Sequence, residues 1–394
     1  MTITTPKRLA ALAFVAALAA SACSGSGSSP TPAGVASSAP SSAAASAPAS
    51  ASAAASVPAV TPPEPVSASI TLQGAGATFP TPLYTSWFET YTAKYPQVLF
   101  NYQSIGSGGG IKAITQQTVD FGASDAAMKD EEISALPSGT KILHVPTALG
   151  AVVIIYNLDG VDKLQLDSQN VADLFLGTIT KWNDPKIAAN NPGVTLPDVA
   201  VNVAHRSDGS GTTNAFTTYL DTVSPDWHTK VGAGKEVQWP VGQGAAGNDG
   251  VAAAVKQIPG TVGYVELQYA TQAKIASALL KNADGSYVPG STDGVTAAAD
   301  AIAANFPADA RQAPIINGAG ATTYPIASYT YLLMYQDQTN KDKGQDLLAF
   351  TAWALTDGQA MEAGLGYAPL PAAVQQQALA SLHTVTSGGV PIWP

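Results

Sequence analysis

One cysteine and four histidines in 394 residues leave little room for metal or redox chemistry. A single thiol closes no internal disulfide and builds no thiolate cluster, and His144, His205, His228 and His383 show no metal-ligand spacing. No resident metal or cofactor is expected, and no catalytic set. A G-x-S-x-G nucleophile elbow and a G-x-x-x-x-G-K-[ST] phosphate loop are both missing. Ser210 and His205, five residues apart across a glycine turn, are no substitute for the elbow. Charged residues make up only 12% of the chain, and the balance is acidic, at −10. Without a basic face the chain is not a nucleic-acid binder. An acidic protein that takes an anion must do so with local donors, because its overall field repels the ligand.

What is present begins with Lys7 and Arg8, an apolar stretch from Leu9 to Ala19, and Ala20-Ser21-Ala22-Cys23. A positive start, an apolar run too short to span a bilayer and small residues at a cut read as a signal peptide over residues 1–22. The cysteine at that cut resembles a lipoprotein attachment site, although Ala20 stands where leucine is usual. Ordinary cleavage after Ala-Ser-Ala, leaving a free thiol, is the alternative. Losing Lys7 and Arg8 takes the charge from −10 to about −12. From Cys23 to Ser67 the chain is mostly Ser, Ala, Pro, Gly and Thr, expected as a disordered tether. A coil of roughly 45 residues spans about 35–40 Å. The remaining residues, about 327, are enough for two lobes.

Within them the pattern is strand, glycine turn, helix, repeated. Ser67–Gln73, Val98–Tyr102 and Val119–Gly122 read as strands, with helices over 82–94 and 111–117. Leu149–Tyr156, Val199–Ala204, Thr261–Val265 and Ile326–Tyr335 continue the strands, and helices are expected over 213–220, 249–257, 341–355 and 372–382. Such βα units predict an α/β fold with a mainly parallel sheet, with ligands beyond the carboxyl ends of the strands.

Three polar turns lie at such ends: Thr78-Phe79 within Gly74–Pro80, Ser107 within Ile105–Gly110, and Arg206–Thr212. Free N–H groups at a helix N-terminus suit a tetrahedral oxyanion, and glycine lets the backbone approach it. Arg206 adds a planar two-pronged donor and the only formal positive charge of the three turns, with Asp208 placed to hold it. Ser210 and Thr212 offer hydroxyls, while Gly211, Phe79, Gly108 and Gly109 offer backbone N–H groups. Helix N-capping uses the same groups. Asp125, ending Asp120–Asp125, looks wrong beside an anion. A carboxylate is tolerable there only if the anion brings a proton, which phosphate does near neutral pH and sulfate does not. Capping of a helix starting near Lys129 is the plainer role for it. Gly242–Gly247 with Glu266 matches a dinucleotide fingerprint, but the helix behind it is short and Asn248-Asp249 as its cap would put an acid against a pyrophosphate; a loop near the cleft is expected instead.

The segments GAGATFP (74–80), NYQSIGSGGG (101–110), DFGASD (120–125), LGTITKW (176–182), RSDGSGT (206–212), WPVGQGAAGNDG (239–250) and GYVE (263–266) resemble, in this order, the phosphate-binding proteins of ABC-type phosphate uptake. The resemblance implies a two-lobed periplasmic-binding-protein fold, lobe I being 68–148 plus 326–394 and lobe II 149–325, with the anion between them. It places phosphate ligands at Thr78, Phe79 (backbone), Ser107, Asp125, Arg206, Ser210, Gly211 and Thr212, and Asp208 behind the arginine. His205 stands where many members carry a second basic residue. The implied partners are inorganic phosphate, a membrane permease and its ATPase, for a monomeric receptor lipid-anchored through Cys23 on the outer face of the cell membrane. A phosphomonoester hydrolase, a phosphate-responsive surface protein and a receptor for another tetrahedral oxyanion are the alternatives.

Overall fold

The computed structural model describes residues 61–393; the leader, Cys23 and most of the tether lie outside them. The tether's expected end is not loose. Val66 N and Ser67 N donate to Asp346 Oδ1 at 2.7 and 3.3 Å, so the chain is pinned just before its first strand.

The strands are β1 (Ile70–Gly76), β2 (Val98–Ser104), β3 (Phe121–Ser124), β4 (Ile142–Tyr156), β5 (Asn202–Arg206), β6 (Gln243–Ala245), β7 (Thr261–Glu266) and β8 (Ile326–Tyr335). They hydrogen-bond in the order β2-β1-β3-β8-β4-β7-β5-β6. The expected βα units are there: β1 pairs in parallel with β2 and β3, and β5 with β6 and β7. The strands that join the two groups are antiparallel. β8 runs against β3 and β4, and β4 against β7.

β4 is the bridge between the lobes. Residues 142–151 pair with β8, and Val152–Tyr156 continue straight on to pair with β7. From His144 to Tyr156 it is buried on both faces. That explains the apolar run read from Leu149 on, while His144, Pro146 and Thr147 hid its first half. The register of β4 against β8 shifts at Thr330/Tyr331, beside Pro146, as expected of a residue that cannot donate to the ladder.

Helices α1 (Thr81–Lys94), α2 (Ser107–Thr115), α3 (Asp130–Ser134), α4 (Gly211–Val223), α5 (Gly247–Gln257), α6 (Leu267–Ala273), α7 (Lys341–Ala354) and α8 (Ala372–Leu382) flank the strands. Helices not foreseen from the sequence occur at Ser168–Phe175 and Thr292–Asp300. α2 begins four residues before the expected Ile111. Gly108, Gly109 and Gly110 are poor helix formers, but a Cβ on Gly110 would lie 2.5 Å from Gly76 Cα. Close packing on β1 overrides propensity there. One aromatic cluster fills the first lobe, with Phe88 on Phe100 at 4.4 Å and Phe350 on Phe100 at 4.6 Å. Another, Phe216 on Tyr264 at 4.4 Å, fills the second. Their burial supplies much of the apolar stabilisation on either side of the cleft.

Candidate functional site

The three polar turns converge because each follows a parallel strand. Gly76 O accepts from Ile105 N and Gly106 N, which ties the start of α2 to the end of β1. Ala77 N donates to Ala123 O, tying the Thr78 turn to β3. β5 ends at Arg206 and α4 starts five residues later. Thr78, Ser107, Asp125, Arg206, Ser210 and Thr212 are all buried. Among the described residues no group of three His, Cys, Asp or Glu side chains could hold a metal.

Arg206 is held as expected. Its Nε donates to Asp208 Oδ1 at 2.7 Å and its Nη2 to Oδ2, while Gly247 N donates to Oδ1 at 3.1 Å. Burial pushes the Asp208 carboxyl up, but the Arg206 hydrogen bonds and charge outweigh it and hold the group below the usual range. One edge of the guanidinium is thus fixed, and Nη1 has no partner among the described residues. His205 adds no second charge. Its ring stacks on Trp239 at 4.7 Å, Nδ1 lies 3.0 Å from Arg206 O, and burial lowers its pKa.

Ser210 caps α4, accepting from Thr213 N at 3.0 Å. Phe79 N and Thr212 N have no partner among the described residues, as donors to an anion require. Two of the expected N–H groups are committed elsewhere. Gly108 N donates to Gly209 O at 2.8 Å, and Gly211 N to Ser107 Oγ at 3.0 Å. Both bonds run between the lobes, whose close approach buries these groups and obliges them to find acceptors. Glycine makes the approach possible: a Cβ on Gly211 would stand 2.5 Å from Asp125 Cβ. At Gly106, where φ is +84°, a Cβ would stand 2.2 Å from Asp208 Oδ2. The ion pair Lys235–Glu132, at 2.5 Å, joins α3 to the segment behind Ser210.

Asp125 does not cap α3, whose N-cap is Lys129. It points inward: Thr330 Oγ1 donates to Oδ1 at 2.9 Å and Ser107 Oγ to Oδ2 at 3.4 Å. Burial raises its pKa from 3.8 to about 7, against the lowering pull of Thr330, Arg206 and Ser107.

Two residues were missed. Asn248 was read as a cap for α5, but the N-cap is Ala246 without a side-chain bond. Fully buried, Asn248 reaches back to the Thr78 and Thr212 hydroxyls instead. Glu266 is buried at the end of β7, with Tyr367 Oη 3.1 Å from its Oε2 and 2.7 Å from Phe79 O; burial pushes its pKa far up. A loop near the cleft was expected from the glycine run 242–247, but the reach of Asn248 to Thr78 and Thr212 and the burial of Glu266 were not.

Residues 41–357 match the PBP superfamily domain. The phosphate-binding protein PstS of Xylella fastidiosa (strain 9a5c) is 42% identical over 316 residues, covering 79% of this chain and 85% of that protein. The chain belongs to the phosphate-binding protein family. The phosphate-binding protein PstS of Methanocaldococcus jannaschii is 37% identical over 340 residues, covering 81% of this chain and 87% of that protein. The family's fold is seen in a solved phosphate-binding protein from Stenotrophomonas maltophilia, at a TM-score of 0.62 and 23% identity over 82% of this chain and 96% of that one.

The Asp125 environment sets a pH dependence. Between about pH 4 and pH 7 the folded protein keeps a proton on Asp125 that the unfolded chain has released, so this group's contribution to stability falls as pH rises through that window. In phosphate-free buffer Asp125→Asn is therefore expected to melt above the parent at pH 8, with the gap narrowing at pH 5. An equal gap at both pH values, read by calorimetry, would contradict the assignment.

Proposed function

We propose that this chain is an extracytoplasmic receptor that binds inorganic phosphate between its lobes and delivers it to a membrane ABC permease driven by its ATPase. The ligands in this reading are Thr78, the Phe79 N–H, Ser107, Asp125, Arg206, Ser210, Gly211 and Thr212, with Asp208 steadying the guanidinium; the Gly211 N–H, bonded to Ser107 Oγ here, would serve by exchanging that oxygen for the anion's. The lobes are taken to divide at 148/149 and 325/326. Lipid on Cys23 and the Ser/Ala/Pro tether would keep a monomeric receptor near the permease.

One observation carries the phosphate reading: Asp125, buried beside Arg206 and among hydroxyl and N–H donors, is the only carboxylate aimed into the cluster among the residues named above. An anion that brings its own proton gives this carboxylate something to accept. An anion without one leaves charge facing charge in a medium where that repulsion is poorly screened. Asp125's proton affinity, lying near neutrality, suits sharing a proton with phosphate rather than surrendering one. The serine–histidine pair that a hydrolytic reading would use is not formed: the His205 ring lies against Trp239 and Arg206 O rather than Ser210.

Isothermal titration of phosphate and sulfate at equal ionic strength tests the selectivity. The parent is expected to bind phosphate and ignore sulfate. At pH 8, above the carboxyl's pKa of about 7, Asp125→Asn can donate where the ionised parent only accepts, and it is expected to gain measurable sulfate binding and lose less for phosphate. A mutant as blind to sulfate as the parent would remove Asp125 as the discriminator. For the anchor, Cys23→Ala is expected to release the protein into the medium while Ser24→Ala does not; retention of the Cys23→Ala protein in the membrane fraction would dispose of the lipid.

A further inference from the structure

The hydroxyl groups around Asp125 share a property that residue identity alone does not reveal. A hydroxyl has one hydrogen and two acceptor lone pairs, so a bond received decides where the hydrogen can go. Ser210 Oγ receives Thr213 N. Ser107 Oγ receives Gly211 N at 3.0 Å and Asp125 N at 3.2 Å. Those donors are backbone N–H groups, fixed by the fold. Thr78 and Thr212 are different, because a side chain serves both.

That side chain is Asn248, at 0% exposure. Its Oδ1 accepts Glu266 N at 3.0 Å. A backbone N–H can only donate, so the amide cannot turn over, and its NH2 is obliged to face the threonines. Nδ2 lies 2.7 Å from Thr78 Oγ1 and 3.2 Å from Thr212 Oγ1. Both amide hydrogens are thereby used. Asn248 N, 3.2 Å from Thr78 Oγ1, supplies a second bond to that hydroxyl. With both lone pairs occupied, Thr78 has only its hydrogen left to offer.

We propose that Asn248 is a positioning residue that orients the Thr78 and Thr212 hydroxyl hydrogens toward the bound oxyanion, leaving Thr78 only its hydrogen to offer and occupying one of the two Thr212 lone pairs, and so biases this wall of the cleft toward donation. The proposal rests on the phosphate-receptor reading and deepens it. Asn248 is not among the proposed phosphate ligands. It acts through one hydroxyl from each lobe, Thr78 ahead of α1 and Thr212 in the first turn of α4. A wall biased toward donation leaves Asp125 to accept, and an anion lacking a proton meets no compensating partner there. Specificity then resides in the orientation of hydrogens, not solely in which residues line the cleft.

A double-mutant cycle separates this role from a structural one. Phosphate is titrated calorimetrically into the parent, Asn248→Ala, the Thr78→Val/Thr212→Val pair, and the triple variant. Asn248→Ala is expected to weaken phosphate roughly tenfold to a hundredfold in the parent, as loss of oriented bonds to an anion would. In the valine background, with no hydroxyls to orient, the same change is expected to cost less than about twofold. Because Asn248→Ala also strips the Glu266 N–H of its partner and could impair folding, Asn248→Asp serves as the second variant. It keeps the size and the acceptor for Glu266 N but presents acceptors to the threonines. Its phosphate affinity relative to the parent is expected to be worst at pH 8 and to recover toward pH 5, where a protonated carboxyl can donate. An Asn248→Ala loss equal in both backgrounds, or an Asn248→Asp protein binding as tightly as the parent at pH 8, overturns the proposal alone. A parent that binds neither phosphate nor sulfate overturns this proposal and the receptor reading together.

Discussion

The constraint on which the cleft depends is one buried carboxylate set among donors. Taking Asp125 out of water costs free energy, and the rise of its pKa to about 7 expresses that cost. Only part of it is offset by Thr330, Ser107 and the Arg206 charge. A ligand that brings both negative charge for Arg206 and a hydrogen for Asp125 satisfies the two at once. The features that look odd in isolation follow from this. Arg206 is clamped by Asp208 so that its free edge cannot drift toward Asp125, and glycine stands at 211 because a Cβ there would strike the carboxylate's own carbon chain.

The same groups hold the lobes together. Gly108 N to Gly209 O, Gly211 N to Ser107 Oγ, Asn248 Nδ2 to Thr78 Oγ1 and Lys235 to Glu132 all cross the cleft. In the proposed reading Thr78, Ser107 and Gly211 would serve both closure and recognition, and the free energy of an anion's binding would be expressed as a shift toward the closed arrangement. β4, continuous from one lobe into the other, is the element about which such a shift would pivot. It is buried on both faces from His144 to Tyr156, with the polar contacts of the cleft in front of it.

Much of this was legible in the sequence because the turns and the strands are local signals. Ile326–Tyr335 and Ala372–Leu382 have the expected bounds, and Thr78, Ser107, Asp125 and Arg206 come together from the turns that suggested them. What was not legible depended on distant partners. The start of α2 in three glycines is decided by the backbone of β1, and the first half of β4 is decided by β8 rather than by its own polar residues. Asn248 looked like a local cap, the commonest use of asparagine at a helix start. Its partners, Thr78 and Thr212, lie 170 and 36 residues away in the chain. The Gly108 and Gly211 N–H groups were read as free donors because nothing local announces a partner on the opposite lobe.

Hydrogen positions in the phosphate complex test the central claim most directly, and neutron diffraction of that complex would locate them. The account predicts the hydroxyl hydrogens of Thr78, Ser210 and Thr212 directed at the anion, and a hydrogen lying between a phosphate oxygen and Asp125. A phosphate oxygen facing Asp125 with no hydrogen between them, or a threonine hydroxyl turned toward Asn248, would contradict it.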